Sequence, residues 1–496
     1  MATKPQAPGP ASGNPDAGAP ARPASGIPVA APPTRPTITP PTAEQKTVLW
    51  IAILASFVAF LDGTVVNVAL PAILRDFGGG IALQQWAVDA YFITLGALIL
   101  VAGSLSDVYG RLRVITIGLI AFGIASLAVA LSPTSAVLII ARLLQGAAGA
   151  LLVPSSLALI MWNFRGSAQA RAIGTWTGVT SAAFLVGPVL GGAFVDLASW
   201  RWAFVINVVP IGVTLWLLTR LTQKDVRRSG AHIDFPGALL CVVGLGAAVY
   251  ALIEAPTRGW GDLVIVASAV VGVVALAGFL MRQASAREPI MPLNLFRVRN
   301  FAWGNIGTAL IYGALSLSGF VIAVYLQEGA GLKATAAGLA SLPIMMMMML
   351  LSSRVGGLVG RVGPRIFMTL GPLVMAVGTV MMLAVSEDFF YWTQVLPGII
   401  VFGIGLAITV SPLTSAILGA IDTARSGIAS AINNAVSRIA GLVAIALLGT
   451  IVGGQLDLEG YRRGMMATAV AMVLGAAVSW VGIRNPAPDA GDRDAA

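Results

Sequence analysis

The 496-residue chain is 57% AVILMFWYC and adds 57 glycines, which brings its apolar share to roughly 68%, against about 45 to 50% in soluble domains. Only 10% of residues are charged, where a soluble domain carries about 25%, so an ordinary water-soluble fold is excluded and lipid must be the solvent. The formal charge of +9 does not point to nucleic acid, because the basic residues lie scattered between apolar runs instead of clustering on one solvated face.

Residues 1–45 are rich in Pro, Ala and Gly and lack the apolar run of a signal peptide, so they read as a disordered tail. Apolar runs bounded by charges or turn residues then predict helices at about 48–70, 86–107, 113–132, 135–162, 171–196, 202–221 and 233–254. A second series follows at about 261–281, 299–327, 335–360, 364–385, 391–421, 427–456 and 461–483, and residues 484–496 read as a second tail. Fourteen spans, an even number, place both termini on one side of the membrane.

Lys and Arg in the short loops set the orientation. The side of the termini collects 22 of the 30 basic residues, and the other side only Arg75, Arg201, Arg258, Lys333, Arg462 and Arg463. Both termini are therefore expected in the cytoplasm, with the chain a multi-pass protein of the plasma membrane. Trp50, Trp86, Trp162, Trp200, Trp202, Trp260, Trp303, Trp392 and Trp480 lie near predicted helix ends, where an amphipathic ring is expected to anchor at the interface.

The loop after helix 2 contains Gly103, Leu105, Asp107, Gly110, Arg111 and Arg113. The loop after helix 10 repeats the spacing with Gly356, Leu358, Gly360, Gly363 and Arg365, so Gly360 replaces the acid. This degenerate repeat implies a six-helix bundle over 46–221, two additional linker helices over 222–282 and a second six-helix bundle over 283–483.

The segment from Gly103 to Arg113 resembles the signature loop of the major facilitator superfamily. Leu61, Asp62, Thr64, Asn67, Ala69, Leu70 and Pro71 resemble the first-helix motif of its fourteen-helix drug:proton antiporters. Arg142, Gln145, Gly146, Gly149 and Pro154 resemble the fourth-helix motif; Gly174, Gly187, Pro188, Gly191 and Gly192 the fifth-helix antiporter motif; and Asn433, Asn434, Arg438 and Gly441 a thirteenth-helix pattern. The resemblance covers roughly 48–483, with Val108 standing where the loop motif usually has a basic residue and Ala183 where the fifth-helix motif usually has Gly. It implies an all-α fold of 14 transmembrane helices arranged 6 + 2 + 6, and efflux of drugs or antibiotics in exchange for protons.

Residue by residue, physics adds its own reading. Asp62 lies about 21 Å from the inner end of helix 1 and Arg142 roughly 10 Å from the outer end of helix 4, which puts opposite charges at similar depth. Intramembrane ionisable groups are expensive in lipid and usually functional, so Asp62 is assigned the transported proton and Arg142 its partner; mutual structural satisfaction is the rival reading. Gln145, one turn from Arg142, is expected to hold the guanidinium or to make an ordinary interhelical bond. Asp107 ends helix 2, where the dipole disfavours an anion, and is assigned with Gly103, Gly110, Arg111 and Arg113 to a gating loop; the two arginines serve topology equally well. Gly187, Gly191 and Gly192 permit close backbone approach, and Pro188 bends helix 5. Arg438 has no acidic partner in helices 9 to 12, and meets an anionic substrate group, Asn433 and Asn434, or a water-filled cavity. Asp89 and Glu254 read as unremarkable acids near outer ends, and Asp234 as an N-cap of helix 7.

Other classes fare worse. No Lys sits in a phosphate-binding loop of an ATP-driven pump. The one His, His232, lies in a loop and supports neither an intramembrane hydrolase nor a multi-histidine metal site, and the one Cys, Cys241, excludes an intrachain disulfide framework. No enzyme activity, cofactor, metal or nucleic-acid partner is expected. The expected partners are a small-molecule substrate, protons and membrane lipid. A proton symporter or facilitator for a natural metabolite is the alternative transport mode.

Overall fold

The computed structural model describes residues 41–223, 225, 233–422 and 425–485, without the side chain of Arg361. The tails expected at the two termini fall outside the described residues except at 41–45 and 484–485, and the loop holding His232 falls outside them as well. Helix 1 nevertheless starts inside the segment read as a tail. Thr42 closes a capping box, its hydroxyl accepting from the Gln45 amide at 3.2 Å while the Gln45 side chain accepts from the Thr42 amide at 3.0 Å.

Fourteen helices among the described residues are long and apolar enough to cross a membrane. They are α1 (Ala43–Phe77), α2 (Gly80–Tyr109), α3 (Arg111–Ala130), α4 (Ser135–Asn163), α5 (Gly166–Leu197), α6 (Trp202–Thr219) and α7 (Phe235–Arg258). The rest are α8 (Leu263–Ser285), α9 (Arg299–Glu328), α10 (Ala334–Gly360), α11 (Pro364–Ala384), α12 (Tyr391–Leu418), α13 (Ser426–Val452) and α14 (Leu458–Gly482). No strand occurs among the described residues, as a lipid solvent requires of an open chain that must satisfy its own backbone. α5 is interrupted at Ala182, upstream of Pro188, and α10 at Ser341.

The two related loops fold alike. Gly110 and Gly363 both take positive φ, 98° and 85°, a backbone region open to glycine. The helix that follows each is capped from far along the chain: Asp225, after α6, accepts from the amides of Leu112 at 3.2 Å and Arg113 at 2.9 Å. Asn485, after α14, accepts from the Arg365 amide at 3.1 Å.

α7 and α8 pair closely: a Cβ added at Gly272 would lie 2.8 Å from the Ala248 amide nitrogen. α7 packs on α2 and α13, and the Trp86 indole donates to Glu254 at 3.0 Å. α8 keeps Leu263, Val273, Val274 and Met281 exposed, a surface suited to lipid. Most of the end-lying tryptophans are exposed, but Trp200 is buried and donates to Asp76 at 2.7 Å. Its ring is therefore a core element, because a carboxylate on α1 lies within reach of its indole N–H.

At the end of the bundle opposite the described chain termini, helices from the first and second series are bonded together. Asp196 on α5 accepts from the Ala334 amide at 3.0 Å and the Thr335 amide at 2.8 Å, capping α10. Gln84 donates to Glu328 at 2.8 Å, and Gln85 to the carbonyls of Ile445 at 2.6 Å and Ala446 at 3.0 Å. At the other end, among the described residues, no atom would lie within 4 Å of a Cβ at Gly174 or Gly178 on α5 or at Gly357 or Gly360 on α10.

Candidate functional site

Helices α1, α3, α4 and α6 meet around one carboxylate. Asp62, fully buried, accepts from Arg142 Nη1 at 2.5 Å, from Gln145 Nε2 at 2.8 Å and from Asn207 Nδ2 at 3.1 Å. Arg142 is equally buried; its Nε donates to the Ala87 carbonyl at 2.8 Å and its Nη1 also to Gln145 Oε1 at 2.7 Å. Its remaining Nη2 has no hydrogen-bond partner among the described residues, and the guanidinium instead lies over the rings of Tyr91, 4.6 Å from the centroid, and Phe204, 5.6 Å away. Ser126 on α3 closes the network by accepting from Gln145 at 2.8 Å.

Close approach of helices permits this. The backbone of α2 at Tyr91 lies against Gly146, and Gly149 lies against the Tyr91 hydroxyl, so α4 can bring Arg142 and Gln145 inward. The Asn207 side-chain Oδ1 is buried without a partner among the described residues.

The sequence pairing of Asp62, Arg142 and Gln145 is thus one cluster in space. Asn207 and Ser126 join it without having been singled out; a lone Asn within the apolar run of helix 6 was the available signal. The other expected residues divide. Asp107 pairs loosely with Arg111 at 3.4 Å, and Arg111 lies over the Trp162 ring at 5.1 Å, while Gly103 has no close neighbour. Gly187 and Gly191 face α1, where a Cβ on Gly191 would lie 3.3 Å from the Val65 carbonyl oxygen. Gly192 faces α10, with the Ala334 oxygen 2.6 Å from its Cβ position, whereas Gly174 has no close neighbour and its motif place is not one of tight packing.

Asn433 and Asn434 do not hold Arg438. Asn433 donates across to α9, to Thr308 at 2.8 Å and Asn305 at 3.2 Å, and the exposed Asn434 donates to its own helix at Ser430. Their amides turn away because α9 and the α13 backbone offer acceptors on the nearer faces. Asp89 also departs from its bland reading: it is fully buried on α2 and, among the described residues, neither carboxylate oxygen has a hydrogen-bond partner.

A bundle of long apolar helices with a charged cluster buried inside it is the architecture of a polytopic membrane protein. The chain belongs to the major facilitator superfamily: the family model of that description matches residues 52–445. Multidrug resistance protein Stp of Mycobacterium tuberculosis is 33% identical over 82% of this chain and 75% of its own length. The methylenomycin A resistance protein of Bacillus subtilis is 33% identical over 82% of this chain and 87% of its own. The tetracenomycin C resistance and export protein of Streptomyces glaucescens is 32% identical over 82% and 76%. Among solved structures the fold is similar to the xylose transporter XylE from E. coli, with a TM-score of 0.61 at 14% identity over 90% of this chain and 99% of that one.

Proposed function

We propose that this protein is a proton-coupled antiporter that exports amphipathic or hydrophobic small molecules, drugs or antibiotics among them, across the plasma membrane. The observation that carries the reading is the fully buried Asp62, held by Arg142, Gln145 and Asn207. A carboxylate in such a place costs several kcal/mol unless it is paired, and proton relays are where membrane proteins keep such groups. The names of the relatives, which speak of resistance and export, favour outward transport of antibiotics over metabolite uptake.

In the proposed cycle Asp62 takes a proton from the outer side. Protonation removes the negative partner of Arg142 and replaces an acceptor by a donor, so Asn207 must turn its amide and the α1–α4–α6 contact loosens. Proton loss toward the cytoplasm restores the ion pair and prepares the site for the next substrate. The halves that rock are six-helix bundles over 46–221 and 283–483, with 222–282 a linker pair; the twin caps at Asp225 and Asn485 favour that division. Both termini lie in the cytoplasm, so the end of the bundle opposite the bonded one faces the cytoplasm. Gly103, Asp107, Gly110, Arg111 and Arg113 form the gate there, and Arg438 belongs to the substrate cavity.

The test is proton movement in energised everted membrane vesicles as dyes and antibiotics are added, comparing wild type with Asp62→Asn at matched expression. Proton release evoked by substrate and lost in the variant is expected. Uptake of labelled metabolites by intact cells, with no such release in wild type, would replace the antiport reading by symport.

A further inference from the structure

Arg438 on α13 is a guanidinium half-buried in the membrane region, and among the described residues it makes no hydrogen bond and no ion pair. Its surroundings are aromatic. It lies 5.8 Å from the ring centroid of Phe60 on α1 and 5.7 Å from that of Phe92 on α2. The phenols of Tyr91 and Tyr312 lie within electrostatic range of it. Gly96 brings α2 against α13 at this level, a Cβ there lying 3.7 Å from the Arg438 Cβ, so Arg438 stands at the seam between the first and second helix series.

Phe60, Phe92 and Tyr312 are themselves only half-buried, and no atom would lie within 4 Å of a Cβ at Gly63, one turn beyond Phe60 on the same face of α1. Asn67, a further turn along that face, is also half-buried. The guanidinium thus has two flat apolar rings at 5.8 and 5.7 Å, phenols in electrostatic range and, among the described residues, no ion-pair partner. A guanidinium has five donors in a planar fork that matches a carboxylate or an enolate, and buried charges are costly until paired. The rings offer stacking area to a flat molecule.

We propose that Arg438, with Phe60 and Phe92, forms the substrate subsite for planar aromatic anions, in which the guanidinium pairs with a carboxylate, phenolate or enolate while the rings stack on the aromatic body. This rests on the export reading above and narrows its substrate class. A cationic drug would meet the Arg438 guanidinium itself, so the site selects against lipophilic cations.

Three probes of nearly equal shape separate the charge effect from hydrophobicity: 9-anthracenecarboxylate, its uncharged carboxamide and cationic 9-(aminomethyl)anthracene. Binding is read by fluorescence on the full chain in lipid nanodiscs at neutral pH. Wild type should bind the anion at least tenfold more tightly than the cation, and Arg438→Gln should cut the anion-to-amide affinity ratio at least tenfold. Arg438→Lys should keep the order with weaker affinity for the anion, since the fork is lost but the charge remains. Equal binding of anion and cation by wild type, no binding of the anion, or an unchanged ratio in Arg438→Gln would overturn the proposal. Where Arg438→Gln does not yield folded protein, the wild-type series and Arg438→Lys decide. Charge-selective binding that depends on Arg438, without proton release in vesicles, would leave this subsite standing and sink the antiport reading.

Discussion

Gly338 on α10 lies against the main chain of Pro188 on α5, so that a methyl group at its Cα would overlap the Pro188 carbonyl. With Gly192 packed on Ala334 and Asp196 capping α10, this contact joins the two helix series at the closed end. Gly338→Val should push the helices apart at a cost of about 1 to 3 kcal/mol, or roughly 5- to 150-fold against the closed arrangement. Labelling of Thr335→Cys by a membrane-impermeant thiol reagent should accelerate accordingly, and efflux should fall. Unchanged labelling would mean that this contact does not hold the closed end.

Removing one member of the buried ion pair should cost more than removing both. Arg142→Met leaves Asp62 buried without its main partner, an expected loss of about 3 to 5 kcal/mol, read as a lowered melting temperature of the purified protein. Asp62→Leu combined with Arg142→Met should regain most of that loss while remaining inactive. A double variant less stable than Arg142→Met would show that the pair stabilises the fold beyond mutual neutralisation.

Asp89 has two buried oxygens without partners among the described residues. Replacement by Leu removes a polar group whose burial costs about 1 to 3 kcal/mol, so the melting temperature should rise. Efflux should fall in the same variant, because a group kept at such a cost inside a membrane is usually functional. A fall in melting temperature would reveal a stabilising partner for Asp89.

Asp234 caps α7 and pairs with Arg282 at 2.5 Å. Burial raises its proton affinity, but the Arg282 guanidinium, the Gly237 amide and the Gln283 amide outweigh it and hold the carboxyl below its usual value. A carboxyl lowered in the folded state stabilises the fold above its unfolded pKa and loses that contribution as pH falls through the folded one. Melting temperature should therefore drop more steeply in wild type than in Asp234→Asn below about pH 4. Parallel pH profiles would show that the ion pair adds nothing to stability.

Asp225→Ala and Asn485→Ala remove caps from α3 and α11, and each should lower stability by about 0.5 to 2 kcal/mol. Similar losses in the two variants are expected if the loops are related by an internal repeat. A loss confined to one of them would make the likeness local.

All fourteen spans were legible because lipid demands long apolar runs, and Asp62 and Arg142 because a charge inside such a run stands out. Asn207 and Ser126 were not, since uncharged polar residues are tolerated in membrane helices and carry no signal of what they face. Asp225 and Asn485 act on helices far back along the chain, a relation that loop composition does not encode. Trp200 was misplaced because position near a helix end does not tell an interfacial ring from one turned inward toward Asp76. Asn433 and Asn434 are adjacent to the face that carries Arg438, yet one points to α9 and the other to its own backbone.

The buried pairing of Asp62 with Arg142 gives the proposed cycle an electrical sign. With Asp62 ionised, the pair sums to zero; with Asp62 protonated, one positive charge remains inside the membrane field. Across a cell membrane that is negative inside, each elementary charge crossing the whole field is worth about 2.3 kcal/mol per 100 mV. In the proposed cycle the proton-loaded pair is then drawn toward the state that discharges to the cytoplasm, whereas the ionised pair contributes no net charge of its own, so membrane potential favours the proton-carrying half of the cycle.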